Sequence, residues 1–202
     1  MAETFGVRLR DWLGRNAHGQ WRLTGDGDGT DGRLRLDAGV QSDWDLFRSL
    51  RDLALHGREA ALDPGAKEQL LAQALRLVRG PFLADRPTDR YGWLRHELVE
   101  AQVPSLVADT ALALAALRSA RGDAGGAAQA LETGLLCAPS DERLARERLR
   151  AVHATGDELR FAALLGEVVA RADTSAGGRG LPPRTQALLD EIHPAWRGRI
   201  AG

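Results

Sequence analysis

Residues 122–165, GDAGGAAQALETGLLCAPSDERLARERLRAVHATGDELRFAALL, decide the predicted fold. The dipeptide Gly122-Asp123 recurs as Gly156-Asp157, and this spacing equals the period of the tetratricopeptide repeat. Small and apolar residues follow both dipeptides at helical spacing: Ala127, Ala130, Leu131 and Leu135 after the first, and Phe161, Leu164, Leu165 and Val168 after the second. Because a helix pair cannot bury its apolar face alone, this pattern predicts helix pairs that stack on their neighbours.

The sequence on either side of this stretch extends the helical pattern. Ser42, followed three positions later by Asp45, is typical of a helix start, and Gly57 ends that helix. Further helices are predicted over residues 64–79, from residue 88 to residue 122, and over residues 182–193. Pro104 falls inside the longest of them, where it must either kink the helix or begin a new one.

Residues 1–38 follow a different pattern. Residues 5–13 predict a short helix that ends at Gly14. Residues 20–24 and 33–37 alternate between polar and apolar side chains, as half-buried strands do, and the glycine-rich loop 25–32 separates them. A helix followed by two strands with a long loop is the order of a recognition helix and its wing. We therefore predict a partial winged helix before the helical repeats.

Charge and composition exclude a globally basic nucleic-acid-binding protein. The formal net charge is −1, and of the 27 lysines and arginines only Lys67 is a lysine. The arginines occur throughout the chain beside carboxylates, which indicates a GC-rich genome rather than a phosphate-binding function. Any DNA contact would come from residues 1–36, where nearby carboxylates leave the segment close to neutral. The candidate DNA contacts there are Arg8, Arg15 and Arg33.

Two ligand patterns occur in the loop before the second strand. Residues 27–32 match G-x-G-x-x-G, but a strand follows instead of a helix, and the aspartates would repel a phosphate. The residues with the spacing of EF-hand calcium ligands are Asp26, Asp28, Thr30 and Asp37. Asp31 occupies the position where that motif needs glycine, and flanking helices are absent from the pattern. We therefore predict a solvated wing loop without nucleotide or calcium.

Elsewhere the sequence lacks the residue patterns of an active site. Residues 96–100, HELVE, resemble the H-E-x-x-H zinc motif, but Glu100 replaces the second histidine, so an exposed helix face is predicted. Cys137 is the single cysteine and lies in an apolar run, where a buried thiol is expected. No nucleophile elbow and no phosphate-binding loop occurs. We predict no enzymatic activity, no cofactor and no metal site.

Four short motifs follow one another in a characteristic order: Val40–Phe47, Leu77–Phe82, Tyr91-Gly92-Trp93 and Leu181–Leu189. In this order the chain resembles the bacterial transcriptional activator domain, the helical module of Streptomyces antibiotic regulatory proteins and their relatives. The second motif is similar to the L-W-R-G-P turn of the family, with Val78 in place of the tryptophan. The chain also resembles the C-terminal regions of large actinobacterial proteins that combine this module with a LysM or membrane segment.

The resemblance implies a mainly α protein whose tetratricopeptide-like regulatory domain packs on a winged helix and mediates dimer or partner contacts. Its predicted domains are a partial winged helix over residues 1–38, the activator domain over residues 40–194 and a tail over residues 195–202. A complete winged helix has three helices before its wing, and only the last is present here, which predicts a poor DNA binder unless the missing helices lie upstream or come from another chain. The predicted scaffold core comprises Trp44, Phe47, Trp93, Leu98, Leu131 and Leu165.

The leading functional prediction is a non-enzymatic regulatory domain that binds a protein partner or a second copy of itself. One alternative is direct DNA binding through the first helix and wing, and another is a scaffold without a role in transcription. The N-terminus has no apolar signal segment, and residues 103–117 are too short to cross a bilayer. We therefore expect a cytoplasmic location and no membrane contact.

Overall fold

The computed structural model of the chain describes residues 2–25, 34–83, 99–175 and 180–197. Within these ranges the protein has nine helices and one two-stranded antiparallel sheet, which confirms the predicted mainly α fold class. The helices are α1 (Ala2–Leu13), α2 (Asp43–His56), α3 (Arg58–Leu62), α4 (Pro64–Leu75), α5 (Val99–Ala120), α6 (Ala124–Cys137), α7 (Glu142–Ala154), α8 (Glu158–Ser175) and α9 (Pro183–Ile192). The strands are β1 (Leu23–Gly25) and β2 (Leu34–Leu36).

The chain divides into two compact units, Met1–Leu46 and Phe47–Gly202, and the division falls within α2. In the first unit, called here the N-terminal unit, α1 ends as predicted at Gly14, whose φ of +66° suits the residue after a helix. β1 pairs with β2 so that Leu23 lies opposite Leu36. The predicted helix and hairpin are therefore both present in the N-terminal unit.

β1 begins at Leu23, later than the predicted residue 20, because the residues before it pair with the segment directly after α1. Trp21 forms a β-bridge with Arg15, and the Arg22 N–H donates to the Gly14 carbonyl at 3.0 Å. Residues 20–22 therefore pair with residues 14–16, and the Arg22 carbonyl also accepts from the Asp37 N–H at 2.7 Å, directly beyond the end of the two strands. Most of the predicted wing loop lies outside the described residues.

Short polar side chains begin several helices. The Ser42 hydroxyl accepts from the Asp45 N–H at 3.0 Å and donates to the Asp45 carboxylate at 2.7 Å, which confirms the predicted start of α2. The aspartates that accept backbone N–H bonds in the first turns of α4, α6, α7 and α8 are Asp63, Asp123, Asp141 and Asp157.

The two glycine-aspartate dipeptides adopt the same conformation in the second unit, called here the helical unit. Gly122 follows α5 with a φ of +80°, and Gly156 follows α7 with a φ of +74°. Glycine reaches this left-handed region without the steric cost that a Cβ atom imposes, so it ends both helices. Asp123 and Asp157 then begin the next helices, α6 and α8. The repeat found in the sequence is thus the recurrence of one helix-to-helix turn.

The long apolar helix α5 packs against both α4 and α6. Pro104 lies inside α5, so the helix continues through the proline instead of beginning there. By length and composition, residues 101–120 could span a bilayer, which corrects the prediction that this region is too short. Its buried side chains include Val107, Ala108, Ala111 and Leu114.

Close packing joins α5 to α6, and α6 packs in turn against α7. At Gly134 a Cβ atom would lie 2.7 Å from the Ala111 Cβ and 3.1 Å from a Leu144 methyl carbon. These distances leave no room for a side chain, so a glycine at this position lets three helices approach one another.

The sequence did not predict α3, and it placed the end of α4 at Arg79, whereas the helix ends at Leu75. Asp63 and Pro64 begin a new helix directly after α3, because the Asp63 side chain accepts the Gly65 N–H and a proline is tolerated in the first turn. At the other end, the Leu77 N–H donates to the Ala74 carbonyl and the Val78 N–H to the Leu75 carbonyl, which tightens the chain into a turn.

Candidate functional site

Two of the three arginines predicted to contact DNA lie within the described residues. Arg8 lies exposed on α1, and Arg33 lies outside the described residues. Arg15 is directed toward its own unit, because its Nη1 donates to the Gly19 carbonyl at 2.6 Å and its guanidinium lies 4.0 Å from the centroid of the Trp21 ring. Arg15 therefore stabilises the turn after α1, and its role as a DNA contact stays a prediction.

Trp21 is the centre of a small cluster in the N-terminal unit. The Arg10 guanidinium also lies over the indole, 5.0 Å from its centroid, so two cations contact one aromatic ring. The Asn16 side chain joins the same turn to the end of β2, since its amide donates to the Asp37 carboxylate at 2.8 Å. The cluster positions arginines for packing within the unit.

Asp37 is the one proposed calcium ligand that lies within the described residues. Its carboxylate accepts from the Gly39 N–H at 2.7 Å and from Asn16, and these two hydrogen bonds hold its pKa below the usual value. It therefore stabilises a turn. Among the described residues, no group of three or more His, Cys, Asp or Glu side chains is placed to bind a metal ion. The histidine of the zinc-like motif, His96, lies outside the described residues.

The Cys137 thiol is buried at the end of α6, where burial raises its pKa. A raised pKa keeps the sulfur protonated and weakly nucleophilic. A cavity of about 400 Å³ lies beside it, lined in part by Pro104, Pro139 and Arg143. A hydrogen bond with the Phe82 backbone lowers the pKa of the thiol, but by less than burial raises it, so the net shift is upward.

Arg143 joins α5 to the turn before α7. It donates to Asp109 at 2.8 Å and to Asp141 at 2.8 Å, and both contacts raise the pKa of the guanidinium. Burial by itself would raise the pKa of the Asp141 carboxyl. Hydrogen bonds from the Arg143 side chain and from the Leu144 and Arg143 N–H groups lower the pKa by more than burial raises it, so the net shift is downward. This ion-pair cluster supports the scaffold.

The residues predicted to form the scaffold core fall into three groups. Phe47, Leu131 and Leu165 are buried. Trp44 is only partly buried, so it lies at the edge of the packed interior. Trp93 and Leu98 lie outside the described residues. The buried members are apolar side chains of the core, and they hold the helices together.

A cleft of about 380 Å³ opens between α4, α5 and α6 in the helical unit. Leu75, Leu114 and Ala130 form its buried floor, and Leu136 stands at its side with 49% of its surface exposed. The other lining residues are Ala72, Arg76, Val78, Arg118, Gln129 and Thr133. The cleft thus combines an apolar floor with two arginines, and no carboxylate lines it among the described residues.

One carboxylate holds two guanidiniums, and one of these, Arg118, lines the cleft. Glu68 accepts from the Arg118 Nε at 3.2 Å and forms a second ion pair with Arg121. Arg118 also donates to the Gly126 carbonyl at 2.9 Å, which fixes its orientation between α5 and α6. The Arg118 and Glu68 side chains are mostly buried, at 19% and 15% exposure.

Sequence reasoning missed the cleft. Its lining comes from three helices that are distant along the chain, and Leu136 carries no motif that distinguishes it from a core leucine. A weak signal existed in Arg118, a charged residue in the last turn of the mostly apolar helix α5.

Residues 42–164, more than half of the chain, match the family model of the bacterial transcriptional activator domain. The match begins at the start of α2 and ends within α8, so it includes the cleft and both glycine-aspartate turns. None of the curated proteins matches the chain.

Proposed function

The chain belongs to the bacterial transcriptional activator domain family, and from that premise we propose that it regulates transcription by binding a protein partner through its helical unit. Membership makes it a transcriptional-activator-like regulatory protein. The finer proposal concerns the means by which it acts. It is a non-enzymatic, cytoplasmic module that is tetratricopeptide-like in its helix pairing, and it is related to the antibiotic regulatory proteins of actinobacteria.

The observation that carries this proposal is the cleft between α4, α5 and α6. It is open to solvent, has a buried apolar floor and leaves Leu136 half exposed. An apolar groove between packed helices suits a polypeptide segment whose own apolar side chains need burial. The occupant is another protein or a second copy of this chain.

Direct DNA binding through the N-terminal unit is the second candidate. It is favoured by Arg8 on α1 and by Arg22 and Arg35 near the hairpin, because all three are exposed. It is opposed by the stacking of Arg10 and Arg15 on Trp21, which uses two of the unit's cations internally.

A tethering experiment separates the two candidates. The full chain is fused to an unrelated operator-binding domain in its host bacterium, with that operator placed upstream of a reporter gene. If the chain acts through protein contacts, the fusion changes reporter output several-fold relative to the operator-binding domain alone. Leu136→Asp should remove this change, whereas Leu159→Asp, at a leucine that is 86% exposed on α8, should preserve it.

The opposite result has a distinct signature. An unchanged reporter, together with a low-salt shift of duplex DNA that Arg8→Ala abolishes, would replace protein binding with DNA binding as the function. Light scattering on the free full chain then reports whether a second copy is the partner, because a self-associating chain shows a mass that rises with concentration.

A further inference from the structure

We propose that the cleft between α4, α5 and α6 binds an acidic amphipathic helix of a partner protein, with Arg76 and Arg118 as the residues that select its carboxylates. This inference rests on the proposed function, because it names the chemistry of the partner that the cleft receives. Three properties of the described residues support it: the shape of the floor, the excess of positive charge and the fixed orientation of Arg118.

The floor of the cleft fits apolar side chains from a helix. Leu75 and Leu114 are buried beneath it, and Leu136 projects beside it without full cover. A bound helix presents apolar residues at positions i, i+3 or i+4, and i+7 along one face, and such a ridge fills a groove between packed helices. Binding would complete the burial of Leu136.

The charge at the edge of the cleft selects carboxylates over ammonium groups. Arg76 and Arg118 supply two positive charges to the lining, and no carboxylate lines the cleft among the described residues. Glu68, which is outside the lining, pairs with Arg118 and offsets part of this charge. Arg118 is mostly buried and paired with Glu68, so the exposed Arg76 supplies most of the charge that a partner meets. Glutamates that flank the apolar ridge of a partner would offset this excess.

The arginine at the centre of the edge is already held in place. Arg118 bonds both to Glu68 and to the Gly126 carbonyl, so it loses little conformational freedom when a partner binds. A nucleic acid is a poorer fit, because the apolar floor has no phosphate to contact and the charge excess is small for a polyanion.

Binding is measured by fluorescence anisotropy on the full chain with three labelled helical peptides. The first has leucines along one face and glutamates on its flanks, the second has lysines in place of those glutamates, and the third has serines in place of the leucines. We expect the acidic peptide to bind at least about tenfold more tightly than the lysine peptide, and the serine peptide to lose binding.

Variants of the cleft test which side chains are responsible. Arg76→Glu should weaken the acidic peptide about tenfold and strengthen the lysine peptide, a gain that unfolding cannot produce. Leu136→Asp should weaken the acidic peptide by at least as much. The matched controls are Arg184→Glu on α9 and Leu159→Asp on α8, both at exposed positions outside the cleft, and both should bind as the unaltered chain does.

Several results would overturn the inference: equal affinity for the acidic and lysine peptides, no effect of Arg76→Glu, or tighter binding of a short single-stranded oligonucleotide than of the acidic peptide. Each of these leaves the tethered reporter as an independent test of the proposed function. Conversely, the reporter could stay unchanged while the acidic peptide binds selectively. This result would refute transcriptional action through protein contacts, but it would still support the preference of the cleft for an acidic helix.

Discussion

The N-terminal unit and the helical unit are held together by different forces. In the N-terminal unit, Leu23 is the only apolar side chain classed as buried among the residues described there. Its order comes from Trp21 between two guanidiniums and from the Asn16–Asp37 hydrogen bond. The helical unit instead buries leucines and alanines from successive helices against one another, closely enough that Gly134 admits no side chain.

Because of this difference, substitutions in the two units should affect stability in different ways. Apolar packing is cooperative, since removing one buried side chain leaves a cavity that several helices line. Contacts on a partly exposed turn are local, and their loss opens that turn without unfolding a separate core. The two units should therefore respond to mutation with effects of different size and different reach.

The largest expected effect is that of a cavity in the helical unit. Leu131 is 1% exposed on α6, so Leu131→Ala should lower the free energy of unfolding by about 2–5 kcal/mol. Urea unfolding followed by circular dichroism measures the change. The matched control is Leu159→Ala at a mostly exposed leucine, for which we expect a change within about 0.5 kcal/mol. Equal effects at both sites would contradict the assigned core.

Smaller effects on stability are expected from alanine at two helical glycines, with opposite signs at the two positions. Alanine normally stabilises a helix interior by about 1 kcal/mol relative to glycine, and Gly166→Ala on α8 should show this gain because its Cβ would meet nothing within 4 Å. Gly134→Ala should instead destabilise by about 1–3 kcal/mol, since its Cβ would collide with Ala111. Thermal melting of both variants checks the prediction, and a stabilising Gly134→Ala would refute the close approach of α5 and α6.

Protonation of the Asp141 carboxylate should lower the free energy of unfolding by about 0.5–1 kcal/mol. Its folded-state pKa lies below the ordinary value of 3.8, so its contribution is present above about pH 4 and is lost as the pH falls through the folded-state pKa. The unaltered chain should therefore lose stability more steeply below about pH 4 than Asp141→Asn, which keeps a capping oxygen but no charge. Urea midpoints measured from pH 6 to pH 2 test this, and parallel curves would exclude the ion pair with Arg143 as the cause.

The smallest effect on global unfolding is expected in the N-terminal unit. Trp21→Ala removes the surface that Arg10 and Arg15 cover, so amide exchange of the Arg22 N–H should accelerate as the turn opens. The free energy of unfolding of the helical unit, measured with urea, should change by less than about 0.5 kcal/mol. Lys67→Ala, at the single lysine on α4, serves as a control that leaves this exchange rate unchanged. A large loss of global stability would show that the two units unfold together.

Local features of the fold were accessible from the sequence because they depend on neighbouring residues. The glycine-aspartate dipeptides predicted two helix-to-helix turns, since glycine tolerates the left-handed region and aspartate accepts N–H bonds in a first turn. The Ser42 start of α2 followed from the same chemistry. The helix α3 was missed, because so short a segment carries too little periodicity to indicate a helix.

The candidate sites were less predictable, because they depend on which side chains meet in space. Arg15 has the charge of a phosphate-binding residue, but its contact with Trp21 and the Gly19 carbonyl follows from the turn that brings them together. Arg76 precedes α5 in the sequence and Leu136 follows it, yet both residues line one cleft. Neither relation appears in the spacing of residues along one element.

By itself, the sequence determined the helical class, the period of the glycine-aspartate repeat and the order of motifs that marks the family. These properties are set by backbone propensity and by contacts within one or two helical turns. The tertiary structure alone decided that Gly134 is a point of close contact, that the N-terminal arginines are partly used for packing, and that α4, α5 and α6 enclose a basic-edged cleft. Such features arise where helices remote in the sequence pack, because the packing decides which faces are buried and which charges remain in excess.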